Sequence, residues 1–404
     1  MNKTAAYIVC LLMVTCQWAA AQEEYPRSAK ACWELGETYL DQRKWKQAEE
    51  AFTASIYRDA YFADAYYGRA VAREHLDLWQ EALTDYNIYL EWRPTHAEAL
   101  FSRAQLRFRH QQYEFAKADF LALLEMPAGE TTAVFFQQNS FTGEVSNVFT
   151  SQGNNKAYLY NYLALTESAL KEYPSAIAHF TQALQFTPAS TDLLVNRGIA
   201  YEGAQQPDEA RKDFERALLL DPNHALAKHN LASLPATSAP NVAANQLLDE
   251  AIEDNPRLPY PYAKRGFARF EKGQFKEALD DYNNAIRIDS SEADYFLNRG
   301  LIYEKLNQSA NAYADYTKAI RLDEKFEKAW LNRANLLTRL GRWQDAIEDY
   351  TVALTYQPDY SAAYYNRGIA YHRIKQNDKA CADIRKAEEL GMTIPAKLKK
   401  QVCE

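Results

Sequence analysis

The chain has 404 residues, with 13 Gly and 14 Pro, and is rich in Ala, Leu, Tyr and charged residues, a composition that favours helix over most of its length. That length suits two or three compact domains or one long array. The net charge is −8, with no basic block or Lys/Arg stripe, which removes nucleic acid from the partners to consider.

Residues 1–21 carry Lys3, an apolar run over residues 5–15, and then Ala19 and Ala21 in an A-x-A arrangement. This pattern predicts a signal peptide of bacterial type. A lipid anchor on Cys16 is the weaker alternative, because Met13, Val14 and Thr15 fit a lipoprotein site poorly. No integral membrane span is expected, since the apolar run is too short and no later stretch reaches ~18 consecutive apolar residues. The expected location is therefore the periplasm, with secretion or envelope association as alternatives.

From Ala29 onward the sequence is periodic. The phrase NRGIAY stands at residues 196–201 and again at 366–371, a separation of 170, which is five times 34. Cutting every 34 residues gives repeats 1–3 over residues 29–130 and repeats 4–10 over residues 157–394. Position 8 is always Gly or Ala, position 20 is always Ala, position 24 is aromatic in eight repeats and position 32 is Pro in five. Small residues at 8 and 20 let two antiparallel helices approach, the aromatic fills the space beside them, and proline stops the second helix. One such hairpin cannot bury its apolar face alone, so neighbours stack into a solenoid. The pattern resembles the tetratricopeptide repeat (TPR) family over about 340 residues. The resemblance implies an all-α fold, a right-handed α-solenoid of ten 34-residue helix-turn-helix units with one short β-hairpin-like insertion.

Position 7 departs from the family, which commonly places Leu there. It is Arg in seven repeats, and in those same repeats position 23 is Asp. The predicted pairs are Arg69 with Asp85, Arg103 with Asp119, Arg197 with Asp213, Arg265 with Asp281, Arg299 with Asp315, Arg333 with Asp349 and Arg367 with Asp383. Repeats with Leu35, Leu163 or Leu231 at position 7 carry Ala51, His179 or Leu247 at position 23. Positions 7 and 23 are symmetric about the turn at 15, so each pair should tie one hairpin across its two helices, the arginine stem covering core. The alternative is a row of ligand-binding arginines.

Position 6 is Asn at Asn196, Asn230, Asn298, Asn332 and Asn366. The resemblance implies that such amides form a ladder on the concave face and hydrogen-bond the backbone of a bound peptide; alternatively they are ordinary constituents of these helices. Positions 2, 5, 9 and 12 usually face the same groove. They supply Trp33, Tyr67, Phe101, Phe108, Tyr158, Tyr260, Phe267, Phe270 and Tyr365, as anchors for peptide side chains or as packing between repeats. No repeat has Lys at position 5, so the carboxylate clamp of chaperone-binding members is not expected.

Two segments break the pattern. Residues 131–156 place Val134, Phe135, Phe136, Val145, Val148 and Phe149 around an N-S-F-T-G stretch, which suggests a β-hairpin that either meets a partner or covers the joint between repeats 3 and 4. Repeat 6 has Pro235 and Pro240 where its first helix should continue, predicting an early stop and a bend. Cys381 and Cys403 are expected to form a disulfide bond that pins a capping helix at residues 395–404, with Cys32 a buried free thiol.

No phosphate-binding, dinucleotide, zinc-protease, C-x-x-C or nucleophile-elbow motif occurs. His224 and His229 lie five apart, which splits them across a helix surface and argues against a metal. The expected function is a non-catalytic scaffold, without cofactor or metal, that binds an extended or helical segment of a protein or peptide partner in the concave groove. The alternative is a structural subunit of a cell-envelope or secretion complex, engaged through its convex face and the 131–156 insertion.

Overall fold

The structure, a computed structural model, describes residues 25–126, 134–138, 145–150, 156–235 and 241–403. The expected signal peptide and the N-S-F-T-G turn lie outside them. The chain divides into two compact units, Met1–Asp213 and Phe214–Glu404.

The first unit holds α1 (Ala29–Asp41), α2 (Trp45–Arg58), α3 (Ala63–His75), α4 (Trp79–Trp92), α5 (Ala97–Arg109), α6 (Tyr113–Glu125), α7 (Ala157–Ala169), α8 (Tyr173–Phe186) and α9 (Thr191–Gly203). Strands β1 (Val134–Gln138) and β2 (Val145–Thr150) pair antiparallel between α6 and α7. Helix α10 (Pro207–Leu220) carries the division between units. The second unit continues with α11 (Ala225–Ser233), α12 (Asn241–Asp254), α13 (Pro259–Glu271), α14 (Phe275–Ile288), α15 (Ala293–Lys305), α16 (Ser309–Leu322), α17 (Glu327–Arg339), α18 (Trp343–Tyr356), α19 (Ser361–Arg373), α20 (Asn377–Glu389) and α21 (Ala396–Cys403).

Within each unit odd-numbered helices pack against the following even-numbered ones as hairpins. Wherever position 15 falls among the described residues it has positive φ: Arg43, Asp77, Gln111, Lys171, Gln205, Asn307 and Lys375, with Gly273 and Gly341 at the same place. The next amide then bonds back into the helix, as Lys44 N–H does to the Tyr39 carbonyl at 2.9 Å and Gln112 N–H to that of Arg107 at 2.8 Å, closing the end of the first helix.

The core repeats the same contact. The ring at position 24 is fully buried at Phe52, Tyr86, Phe120, Phe180, Tyr316 and Tyr350, and the small residue at position 8 makes room for it. A Cβ on Gly36 would stand 2.6 Å from the Phe52 ring, and one on Gly300 2.5 Å from that of Tyr316.

Repeat 6 is the irregular one. Helix α11 has only 9 residues and Leu234 leaves helical space with ψ 147, because the ring of Pro235 disfavours helix for the residue before it. At the other end Cys381 and Cys403 are joined by a disulfide, with Cα atoms 4.9 Å apart. It ties α21 to α20, and Val402, 3% exposed, packs on Ala380 and Ile384. Cys32 is buried and free.

Candidate interaction face

Two sets of residues recur on the hairpins with different chemistry. The first is ionic. Each position-7 arginine grips the position-23 aspartate of its own hairpin through Nε and one terminal nitrogen, at 2.7 to 3.2 Å. The aspartates are 1% to 9% exposed and the arginines 13% to 18%. Such two-pronged pairs are the strong class of charged hydrogen bond. Burial pushes the Arg299 guanidinium down, but the hydrogen bond and charge of Asp315 outweigh it and leave it raised.

Sequence reasoning missed the other end of each arginine. The remaining terminal nitrogen crosses to position 25 of the preceding repeat, at 2.6 to 3.3 Å: Thr53, Asn87, Thr181, Asp249, Asn283, Thr317 and Thr351. The signal was present, because position 25 reads Leu121 and Glu215 just before the repeats that have Leu163 and Leu231 at position 7. Position 11 was missed as well. Arg73, Arg107 and Arg269 there add a second guanidinium to Asp85, Asp119 and Asp281 at 2.6 to 2.8 Å. In repeat 4 the polarity is exchanged, with Glu167 at position 11 bonded to His179 at position 23 at 2.7 Å. With Nε and both terminal nitrogens engaged, the arginine row has little capacity left for a ligand.

The second set is the exposed side of the first helices. Here the structure separates the aromatics. Phe101 is 4% exposed and packs on Phe120, Tyr158 and Tyr162, so its expected place in the groove is corrected: a large ring at position 5 falls at the joint with the next repeat, where burial stabilises it. Tyr158 is likewise buried. Tyr67 packs in tilted and edge-on contacts among Tyr86, Tyr89 and His96, and burial, helped by Glu98, pushes its phenol well up. Tyr365 packs against the capping layer of Ala380, Ile384 and Val402. Trp33, Phe108 and Phe270 pack on Phe62, Tyr113 and Phe275 respectively. Two rings stay open to solvent, both on α13: Tyr260 is 41% exposed and Phe267 48%.

The asparagines separate too. Asn196 and Asn332 are half-exposed, and Asn196 lines a cavity of about 630 Å³ with Asn161, Leu165 and Leu193. Asn298 is half-exposed but donates to the Asp294 carbonyl at 2.9 Å. Asn366 donates to the Asn335 side chain at 2.9 Å, which also accepts from the Tyr350 hydroxyl at 2.7 Å. Asn230 is buried, and its amide nitrogen has no partner. A uniform free ladder is therefore corrected to four half-exposed amides, of which Asn298 and Asn366 are tied to neighbouring groups, and one buried amide, Asn230, because neighbouring side chains at position 9 and the shortened α11 change what each amide meets.

Family profiles described as TPR or tetratricopeptide repeat match residues 33–95, 191–224, 268–307, 293–326, 334–375 and 361–390, together more than half of the chain. Tetratricopeptide repeat protein 6 of Homo sapiens is 27% identical over 285 residues, 69% of this chain and 50% of that protein. DnaJ protein P58IPK homolog B of Oryza sativa subsp. japonica is 24% identical over 311 residues, 72% of this chain and 62% of that protein. Tetratricopeptide repeat protein 16 of Mus musculus is 26% identical over 274 residues, and the match spans only 33% of its length. Among solved structures, the yeast Tom70 structure is 14% identical with TM-score 0.37, covering 93% of this chain and 94% of its own. The Pseudomonas aeruginosa PilF structure is 20% identical with TM-score 0.47, covering 53% and 96%. The matched profiles, the 34-residue period and the small-on-aromatic core agree: the chain belongs to the tetratricopeptide repeat family.

Proposed function

We propose that the protein is an exported, non-catalytic scaffold that holds an extended or helical segment of a partner protein along the first-helix face of its repeats. The observation that carries this reading is the pair Tyr260 and Phe267, 41% and 48% exposed on one side of α13, with the half-exposed amides of Asn298 and Asn332 on the first helices of the two repeats that follow. Exposed aromatics in this setting are the usual anchors of protein recognition. Export rests on residues 1–21 and is supported by the Cys381–Cys403 disulfide, which belongs to an oxidising compartment such as the periplasm. Among the described residues no helix is long and apolar enough to cross a membrane.

The test is affinity capture from an envelope extract with residues 22–404 and, in parallel, the Tyr260→Ala, Phe267→Ala variant. A partner captured by the first and lost by the second supports the groove. A partner retained by the variant moves the function elsewhere. One observation favours a second reading, a structural subunit engaged through the insertion: β1 and β2 form a two-stranded sheet whose outer edges pair with no strand among the described residues, and open edges accept strands. Deleting residues 131–156 abolishes capture under that reading alone.

A further inference from the structure

Positions 19, 22, 25 and 26 span the side of the second helix turned away from the buried residues at 20 and 24. In eight of the ten repeats at least one of these four residues is charged. Repeats 3 and 4 are the exceptions. On α6 the four are Phe115, Ala118, Leu121 and Ala122; Phe115 is 62% and Leu121 39% exposed, and the two alanines are exposed between them. Helix α8 contains no Asp, Glu, Lys or Arg at all, and its Pro174 and Ala178 are exposed. Lys117 on α6 pairs with Glu172 at the start of α8, so the two faces adjoin. The 131–156 insertion leaves from the same joint. Lys156 fastens its end to the end of α6 by donating to the carbonyls of Leu124 and Met126, and neither β1 nor β2 contains a charged residue. An uncharged, apolar stretch on the surface of a chain with net charge −8 marks a place of contact.

We infer that this outward face of repeats 3 and 4 pairs with the same face of a second copy of the chain about a two-fold axis. Two acidic copies repel where their outward faces carry charge, and here they meet without it. A basic partner would instead gain most on the charged faces of the other repeats. The α6 stripe is also self-complementary in shape. With α6 antiparallel to its copy and the axis beside Ala118, Phe115 of each copy falls on Ala122 of the other, a ring against a small residue. Four side chains are too few for a stable dimer, which takes about 800 Å² from each copy. The uncharged face of α8 and the insertion supply the remainder, and a two-stranded sheet, marginal by itself, gains a surface to lie on. The inference stands apart from the groove reading, because it uses the second-helix side of the repeats and holds whether or not a partner segment lies on the first-helix side.

Sedimentation velocity of residues 22–404, which include every described residue, reads the self-association over roughly 1 to 100 μM. Phe115→Glu, Leu121→Glu is expected to weaken the dimer about a hundredfold or more, because each loss counts twice across a two-fold axis. Tyr57→Glu, Tyr61→Glu adds the same charge at rings 65% and 85% exposed on repeat 1 and is expected to shift it by less than about twofold. All four side chains face solvent, and thermal melts confirm that both variants fold. Ala118→Cys tests the axis without added charge: mild oxidation is expected to link two copies through it, and not through Thr84→Cys, at the matching position of repeat 2. A chain that is monomeric at every concentration, with Ala118→Cys unlinked, overturns the inference. An equal loss in the two glutamate variants overturns it too, since added charge alone would then be the cause. So does a dimer indifferent to Phe115→Glu, Leu121→Glu; if deleting residues 131–156 abolishes that dimer, the open strand edges make the pairing instead. Capture through Tyr260 and Phe267 is read separately and is unaffected by any of these outcomes.

Discussion

The Arg299–Asp315 pair offers a sharp test, because repeat 8 lacks the second guanidinium that complicates repeats 2, 3 and 7. Asp315 is 8% exposed and Arg299 18%. Asp315→Leu leaves the guanidinium in the core facing an apolar side chain, at a cost of about 3 to 5 kcal/mol for a stranded buried charge. Arg299→Leu strands Asp315 and also frees Asn283, to which the arginine donates at 2.9 Å, adding about 1 kcal/mol. The double replacement strands nothing and loses chiefly the Asn283 contact. Repeats 1 and 6, which have Leu with Ala and Leu with Leu at these positions, show that the array accepts an apolar pair. The double variant is therefore expected within about 1 kcal/mol of wild type, less destabilised than either single. Native-state hydrogen exchange of α15 and α16 amides is the assay, since repeat arrays can unfold in parts. A double variant as destabilised as the worse single would refute the argument and make the pair a net source of stability; an Asp315→Leu cost below about 1 kcal/mol would show that water screens it.

Three further outcomes follow from the geometry. Lys171→Gly, Gln205→Gly and Lys375→Gly should each raise the melting temperature, because φ near +60° costs a side-chain-bearing residue about 1 to 2 kcal/mol against about 0.5 to 1 for the extra freedom of glycine when unfolded; Asn307→Gly should gain least, and Gly273→Lys should lose. Reducing the Cys381–Cys403 bridge, which closes 22 residues of sequence, should remove about 3 kcal/mol from the capping region, read as faster tryptic cleavage at Lys397 and Lys399; equal cleavage rates would show that α21 docks without it. Burial, and after it the Lys264 charge, holds His229 at about 4 against the ordinary histidine value of 6.5, so the unfolded chain binds its proton first. Its contribution is whole above pH 6.5, falls by up to about 3 kcal/mol between 6.5 and 4, and is flat below. Urea titrations of wild type and His229→Gln at pH 7 and pH 5 should therefore diverge, and parallel slopes would refute the assignment.

The hairpins were legible because their physics is local and repeated. A small residue at 8, Ala at 20 and a ring at 24 describe one contact, and one contact made many times survives the noise of any single repeat. The arginines were legible for half of their bonds: position 23 lies in the same hairpin, within reach of a symmetry argument about the turn. Position 25 lies in the preceding hairpin, and reading it required the stagger with which successive repeats stack, which no single repeat contains. The groove was least legible for the same reason. Phe101 and Phe267 occupy neighbouring types of site on the first helix, yet one is 4% and the other 48% exposed, because exposure is decided by what the following repeat brings to the joint. Phe101 meets Tyr158 and Tyr162 across such a joint.

That joint also explains where the array departs from its period. Every repeat with arginine at position 7 is sewn to its predecessor by a hydrogen bond from that guanidinium, and the inter-repeat stagger is fixed to the reach of one side chain. Repeat 4 has Leu163 instead, and its contact with repeat 3 is made by other means: the Phe120 and Tyr162 rings stack at 5.5 Å, Gln105 donates to the Tyr162 hydroxyl at 3.0 Å, and Lys117 pairs with Glu172. Aromatic packing is less directional than a two-pronged ion pair, so a joint built on it tolerates a chain that arrives from a different direction. The 131–156 insertion enters at that joint. In the second unit the repeat without the arginine, at Leu231, is the one whose first helix stops after 9 residues. A repeat not held to one stagger is free to shorten, and it is in repeat 6 that the shortened α11 presents His229 and Asn230 with polar atoms unmatched.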